Sequence, residues 1–205
     1  MTIETVVFDV GGVFLDWNPR YLYRKVFSSE EQVEDFLGRV CTQTWNERQD
    51  AGRPFALGVR ELQDMHPELG AEISAFNERW EEMIGSVFED TVALLHEVKQ
   101  AGHHIYALTN FSKEKFQIVR KRFSFFACFE GIVVSGEEGL IKPDPRLFHV
   151  LMDRYSIDPT NSVYIDDVAK NVDAATSLGF RGVFHRSTAE TRKQLVALGA
   201  LHGRS

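Results

Sequence analysis

The sequence predicts an α/β fold: a Rossmann-like, mostly parallel sheet flanked by helices, with an all-helical cap inserted after the first strand. Three observations predict it. Short apolar runs recur, each ending in polar residues. Helical periods separate the later runs. One long stretch, residues 17–88, carries helical periods and no strand-like run.

The first strand is Val6-Val7-Phe8, followed by Asp9. Its residues are apolar on consecutive positions, the pattern of a strand buried on both faces of a parallel sheet. Residues 17–88 then place Val33, Phe36, Leu37 and Val40 at helical spacing, followed by Phe55, Val59 and Leu62, and by Ile73, Phe76, Trp80 and Met83. The expected division is a core of residues 1–16 and 89–205 and a helical cap of residues 17–88. Within that cap, Trp45 reads as core, while Arg48 and Arg53 either line its inner face or lie on its plain surface.

The alternation resumes with a helix marked by Leu94, Leu95 and Val98 and ending near Gly102. A strand at Ile105–Leu108 leads into Thr109-Asn110, and a strand at Ile132–Val134 into Ser135. Asp144 is the expected N-cap, with Pro145 in the first turn, of a helix carrying Leu147, Phe148, Leu151, Met152 and Tyr155. A strand at Val163–Ile165 leads into Asp166-Asp167, and Val172, Ala175 and Leu178 mark a helix stopped by Gly179. The last strand, Gly182–Phe184, precedes His185. Ser187 and Glu190 form a capping-box pattern ahead of Leu195 and Leu198.

A chain of 205 residues can bury an ample core, as one domain or one domain with an insertion. Its 30 acidic residues outnumber 23 basic ones, for a net charge of -7, which argues against nucleic-acid binding through a surplus of cations. The cluster Lys113, Lys115, Arg120, Lys121 and Arg122 therefore reads as a solvated helix face. A small anionic substrate held by one or two cations remains compatible. Cys41 and Cys128 lack metal-ligand spacing and read as packed thiols. The N-terminus lacks a secretory pattern and no apolar run approaches the ~20 residues of a membrane span, so a cytoplasmic protein with no membrane partner is expected. No HExxH pair, no GxGxxG after a strand and no Walker motif is present.

Ligands of open parallel sheets bind at the carboxyl ends of the strands. The residues placed there are Asp9, Thr109 with Asn110, Ser135, and Asp166 with Asp167. Taken singly, each has a plain reading: a turn former, a loop hydrogen bond, a helix-terminal charge. Their succession at neighbouring strand ends is harder to dismiss. Three carboxylates in a low-dielectric cleft repel one another, which a hard divalent cation or a proton relieves. Magnesium takes one or two carboxylates with water and substrate phosphate, which suits Asp9 and Asp166. Lys142, ahead of the helix capped at Asp144, is a further cation.

Four segments, VVFDVGGVFLDW (6–17), YALTNFS (106–112), GLIKPDPRLF (139–148) and VYIDDVAKNVDAATSLG (163–179), resemble the haloacid dehalogenase-like hydrolase superfamily, in the branch with a helical cap after the first strand. The resemblance implies a Mg2+-dependent phosphatase acting on a small phosphorylated metabolite. Asp9 would be the nucleophile that forms an aspartyl-phosphate. Thr109 would bind the phosphoryl group with Asn110 assisting, and Lys142 would neutralise Asp9 and the phosphate. Asp9, Asp166 and the backbone carbonyl of Gly11 would hold the metal, with Asp167 supporting it through water.

One departure matters. Most phosphatases of this superfamily carry a second Asp two residues after the nucleophile as general acid and base; here that residue is Gly11. The pattern is similar to sugar-1-phosphate phosphatase-type members, which carry glycine there as well. General acid–base assistance is typically worth about 10²–10⁴-fold. A good leaving group could dispense with it, Asp16 could replace it, or the chain could merely bind a phosphorylated ligand. A 2-haloacid dehalogenase-type hydrolase using Asp9 without metal is the other enzymatic alternative, although such enzymes typically lack the paired Asp166-Asp167. Substrate identity and oligomeric state are not written in these motifs.

Overall fold

The computed structural model describes residues 2–203. Five parallel strands form the central sheet: β1 (Thr5–Phe8), β4 (His104–Thr109), β5 (Gly131–Val134), β6 (Ser162–Asp166) and β7 (Arg181–Phe184), with β2 (Leu15–Trp17) and β3 (Ile84–Val87) outside it. The spatial order is β5-β4-β1-β6-β7. From β1 the chain moves outward through β4 and β5, then returns to the other side of β1 for β6 and β7. That reversal makes a crevice at the carboxyl ends of β1, β4 and β6, where open α/β sheets hold their ligands. Val6 pairs with Ile105 on one side and Val163 on the other, so the three strands end at nearly the same level.

Alternation along the strands splits the core in two. Val7, Leu108, Val133 and Tyr164 face the helix Pro145–Tyr155 and pack on Leu147, Phe148 and Leu151. Val6, Phe8, Ile105, Ala107 and Ile165 face the other way, into a larger apolar cluster with Leu94, Leu95 and Val98 of the helix Glu89–Gln100. The expected helix starts hold: Asp144 caps with its side chain on the Arg146 N–H and Pro145 begins the helix, and Ser187 accepts from the Glu190 N–H. Both cysteines are buried free thiols. No helix among the described residues is long and apolar enough to cross a membrane.

The stretch between β2 and β3 is built from helices at Arg20–Tyr23, Glu30–Arg39, Gln43–Asp50, Phe55–Met65 and Gly70–Glu78, with 3-10 turns at Pro67–Leu69 and Trp80–Met83. The expectation that residues 17–88 hold no strand is corrected. Trp17 and Ile84–Val87 belong to an antiparallel ribbon, Leu15 opposite Val87 and Trp17 opposite Ile84, through which the chain leaves and re-enters the sheet layer. These strands are three and four residues long, too short to display a period of two.

Lys115 is a second correction. It does not lie on a solvated helix face: it is buried, its ammonium donating to the Asn77 carbonyl at 2.8 Å and to Asn77 Oδ1 at 2.6 Å, 4.8 Å from the Phe55 ring centre. Asn77 lies in the last turn of Gly70–Glu78, where unsatisfied carbonyls and the negative end of the helix dipole attract a cation. Beside it, Glu114 accepts the Phe55 N–H at 3.1 Å, so the helix Lys113–Arg122 docks the inserted helices onto the sheet layer.

Candidate active site

Asp9 follows β1 directly. Its N–H donates to the Ile165 carbonyl at 2.8 Å, continuing the sheet ladder by one residue, and its Oδ1 accepts the Val10 N–H at 2.7 Å. The chain then turns through Gly11 and Gly12. Gly12 has φ +71°, and a Cβ there would come within 2.1 Å of Asp167 Oδ2, so only glycine lets the loop lie against the Asp167 carboxylate.

Lys142 reaches this point from the loop after β5. Its side chain is fully buried, with Nζ 2.9 Å from Asp9 Oδ1, 2.7 Å from Asp166 Oδ2 and 3.0 Å from the Leu108 carbonyl. Three acceptors use the three protons of the ammonium. Burial opposes its charge, but Asp9 and Asp166 reverse that effect and raise its pKa. Burial likewise pushes the Asp9 carboxyl up to about 7, against the pull of Lys142 and with help from Asp166 and Asp167.

Asp166 ends β6 with no exposed surface. Besides Lys142 it accepts the Tyr164 hydroxyl at 2.7 Å, the Val168 N–H at 2.8 Å and the Asn171 side-chain amide at 3.1 Å. Asp167 differs. Its carboxyl is raised by burial and by Asp166, and no side chain among the described residues donates to it. Asp9, Asp166 and Asp167 place ligand oxygens within 4.8 Å of one another. One ammonium, in contact with Asp9 and Asp166 only, stands among three carboxylates, so negative charge remains in excess. An all-oxygen donor set of this kind fits a hard divalent cation such as Mg2+.

Thr109 ends β4 completely buried, and its hydroxyl has no hydrogen-bond partner. Such an orphan costs about 1–3 kcal/mol, so a buried one marks a place where a ligand is expected. Asn110 is used differently: its amide donates to the Lys142 carbonyl at 3.1 Å and its oxygen accepts the Lys142 N–H at 2.7 Å. Ser135, after β5, donates to the Asp50 carbonyl at 2.6 Å and accepts the Phe111 N–H at 2.8 Å, joining the inserted helices to the sheet edge.

Beside Gly11 a pocket of about 70 Å³ is lined by Trp17, Asn46, Asp50, Phe55, Trp80 and Phe111, with Asn110 and Ser112. Trp45 does not line it; it is buried, donating to the Gly58 carbonyl at 3.2 Å. Neither Arg48 nor Arg53 lines it. Arg53 binds Gln49 and Glu61, and Arg48 lies 4.0 Å from Glu61. Asp16 accepts the Tyr21 hydroxyl at 2.6 Å and stands against Gly85. Side chains alternate along a strand, so Asp16 points away from the pocket that its neighbour Trp17 lines.

The sequence reading placed the strand-end residues but missed Tyr164, Asn171 and Asp50. Asn171 sits five residues after Asp166, in the first turn of the helix Ala169–Ser177, and that spacing is the available signal. Asp50 had none, because it comes from the inserted helices.

Fold and site together define an α/β protein with a carboxylate–lysine centre at its sheet switch point. Residues 3–179 match the haloacid dehalogenase-like hydrolase family, and the chain belongs to it. It is 26% identical over 200 residues to the sesquiterpene phosphatase astK of Aspergillus oryzae, covering 95% of both chains. It is 25% identical to a phosphorylated carbohydrates phosphatase of Thermotoga maritima, covering 97% of this chain and 93% of that one. It is 22% identical to (S)-2-haloacid dehalogenase 4A of Burkholderia cepacia, covering 89% and 82%. The crystal structure of an enzyme of the same family from Bacteroides thetaiotaomicron superposes with a TM-score of 0.71 at 20% identity, over 91% of this chain and 95% of that one; that enzyme was also solved with magnesium and inorganic phosphate.

Proposed function

We propose that this hydrolase is a Mg2+-dependent phosphatase that cleaves a small phosphorylated metabolite through an aspartyl-phosphate on Asp9. The observation that carries the reading is the contact of Asp9 with Lys142 inside a cluster of three carboxylates. A carboxylate can approach a phosphoryl dianion only where cations screen both. The phosphatase relatives support it further.

In this reading Asp9 attacks phosphorus. Lys142 draws the Asp9 carboxyl toward its ionised form against the effect of burial, holds it in place, and offsets the charge of the incoming phosphate. The unpaired Thr109 hydroxyl donates to a phosphoryl oxygen, while Asn110 fixes the peptide of Lys142. Asp9, Asp167 and the Gly11 carbonyl would hold the metal. Asp166, whose oxygens already serve four donor groups, positions Lys142 and would support the metal without ligating it, an exchange of the two roles implied by the sequence resemblance. Bound Mg2+ supplies electrophilic screening of the phosphoryl oxygens. Residues 17–88 act as the cap, and the aromatic walls of their pocket suit a substrate with an apolar portion beside its phosphate.

Hydrolysis of an aryl phosphate with magnesium, with chelator, and by Asp9→Asn tests this reading. Turnover that needs magnesium and is lost in the variant is expected. The dehalogenase reading is supported by the likeness to a 2-haloacid dehalogenase and opposed by the paired Asp166-Asp167; metal-independent halide release from a 2-haloacid would establish it instead. A folded protein that binds phosphate and turns over nothing would establish a non-catalytic phospholigand role.

A further inference from the structure

Gly11 occupies the position from which a second carboxylate would deliver and remove protons, and nothing replaces it nearby in sequence. A Cβ placed on Gly11 meets nothing within 4 Å, and its φ is not positive, so the space for such a group is open and the backbone is ordinary. The pocket that Gly11 lines has one carboxylate in its wall, Asp50.

Asp50 is the last residue of the helix Gln43–Asp50. Its backbone is tied to the sheet edge by the Ser135 hydroxyl, 2.6 Å from its carbonyl, so its position relative to the strand ends is fixed. Its Oδ2 accepts the Asn46 amide at 3.1 Å. It belongs to a different element from Asp9, Asp166 and Asp167 and has no hydrogen bond to any of them. The rest of the pocket wall is aromatic, amide, serine and glycine, and none of these residue types titrates near neutrality.

We propose that Asp50, reaching across from the inserted helices, is the general acid and base of the phosphatase reaction, taking the place of the carboxylate absent at Gly11. The inference rests on the phosphatase reading. In the first step an Asp9 oxygen forms a bond to phosphorus and the ester P–O bond breaks. Its electron pair goes to the leaving oxygen, which takes the proton of the Asp50 carboxyl. In the second step the Asp50 carboxylate takes a proton from water as the water oxygen bonds to phosphorus, and the Asp9–phosphorus bond breaks with its electron pair returning to Asp9. Asp50 ends protonated and Asp9 ionised, ready for another cycle.

The electrostatics agree with the geometry. Burial pushes the Asp50 carboxyl up to about 7, the Ser112 N–H pulls it down, and Glu47 on the same helix raises it further. An acid–base group works best with a pKa near the operating pH. A cap-borne acid also makes proton delivery depend on the inserted helices being seated on the sheet edge.

The test compares two esters, p-nitrophenyl phosphate, whose leaving group departs without a proton, and benzyl phosphate, whose leaving group needs one. In Asp50→Asn, kcat/KM for benzyl phosphate is expected to fall about 100-fold while that for p-nitrophenyl phosphate changes little. kcat falls for both, because the second step still needs a base. Adding Gly11→Asp to Asp50→Asn is expected to restore benzyl phosphate turnover by at least about tenfold. Circular dichroism and thermal unfolding establish that each variant is folded. Equal losses of kcat/KM for the two esters, no loss for either, or a double variant no faster than Asp50→Asn overturns the role of Asp50. Wild-type protein that cleaves neither ester overturns the phosphatase reading itself, which separates the two failures.

Discussion

Asn110 grips the Lys142 peptide from both sides, donating to its carbonyl at 3.1 Å and accepting its N–H at 2.7 Å. The same lysine makes the only ammonium contact to Asp9 among the described residues, 2.9 Å away. A residue placed at the end of β4 by its sheet position thus aims a cation that arrives from 32 residues further along the chain.

Asn110 is accordingly a positioning residue. Asn110→Ala is expected to cost about 1–3 kcal/mol of stability for two lost hydrogen bonds. A misplaced Lys142 should cost about 10²-fold in kcat. KM should change by much less, since the side chain is committed to the Lys142 peptide. Steady-state kinetics on an aryl phosphate beside denaturant unfolding checks this; a loss confined to KM would contradict it.

Thr109 offers the opposite balance. Its hydroxyl is buried without a partner, so Thr109→Val removes a desolvated polar group at nearly constant volume. Stability should be unchanged or rise by about 1 kcal/mol, while kcat/KM for phosphate esters falls by about 10²-fold. A variant that is both less stable and fully active would show that the hydroxyl serves the fold and not the ligand.

Asp166 and Asp167 are adjacent in sequence and separate in role. Asp166→Ala leaves Lys142, Tyr164 and Asn171 without a shared acceptor and should destabilise by about 3–5 kcal/mol. Asp167→Ala should leave stability without metal nearly intact. Magnesium at 100 times its Kd should stabilise the wild type by about 2.7 kcal/mol. Thermal unfolding with and without magnesium should show that shift in the wild type and not in Asp167→Ala. A shift retained in Asp167→Ala would return the direct ligand role to Asp166.

The legible part of this fold is the part with a period. Apolar runs mark all five strands of the parallel sheet, and the polar residues that end them include Asp9, Thr109, Asn110, Asp166 and Asp167. The helix Gln43–Asp50 was not read, because Trp45 is the only large apolar residue in QTWNERQD; its signal was Thr42, which caps it by accepting the Trp45 N–H. The β2–β3 ribbon and the burial of Lys115 depend on partners about 40 to 70 residues away, which local spacing does not encode. Asp50 is illegible for the same reason.

The raised carboxyl of Asp9 gives stability a pH dependence of definite sign. Its folded value, about 7, lies above its ordinary value of 3.8, so the folded state holds the proton more tightly across that window. Asp9 therefore contributes a loss of stability as pH rises from about 4 to 7. Asp9→Asn removes that loss. It should unfold at least about 2–4 °C above the wild type at pH 8, equivalent to about 1 kcal/mol for a chain of this size, with the advantage disappearing near pH 4. Thermal unfolding across that range without metal tests it. A variant less stable than wild type at pH 8 would mean that Lys142 needs both carboxylate partners to be held.

Two glycines of the inserted helices should respond to alanine with opposite signs. Gly52 follows the helix that ends in Asp50; its φ is +96° and a Cβ there would meet the Gly136 carbonyl oxygen at 3.1 Å. Gly52→Ala should cost about 1–2 kcal/mol through left-handed strain, lowering the melting temperature by about 2–8 °C. Activity should fall with it, because Asp50 and its bond to Ser135 lie two residues away. Gly70 begins the helix Gly70–Glu78 at φ -58°, with only Gln63 Nε2 at 3.8 Å from a Cβ. Gly70→Ala should stabilise by about 0.4–1 kcal/mol, by restricting the unfolded chain, and leave activity unchanged. If Gly52→Ala melted with the wild type and kept its activity, the seating of residues 51–53 against the sheet edge would not govern the site.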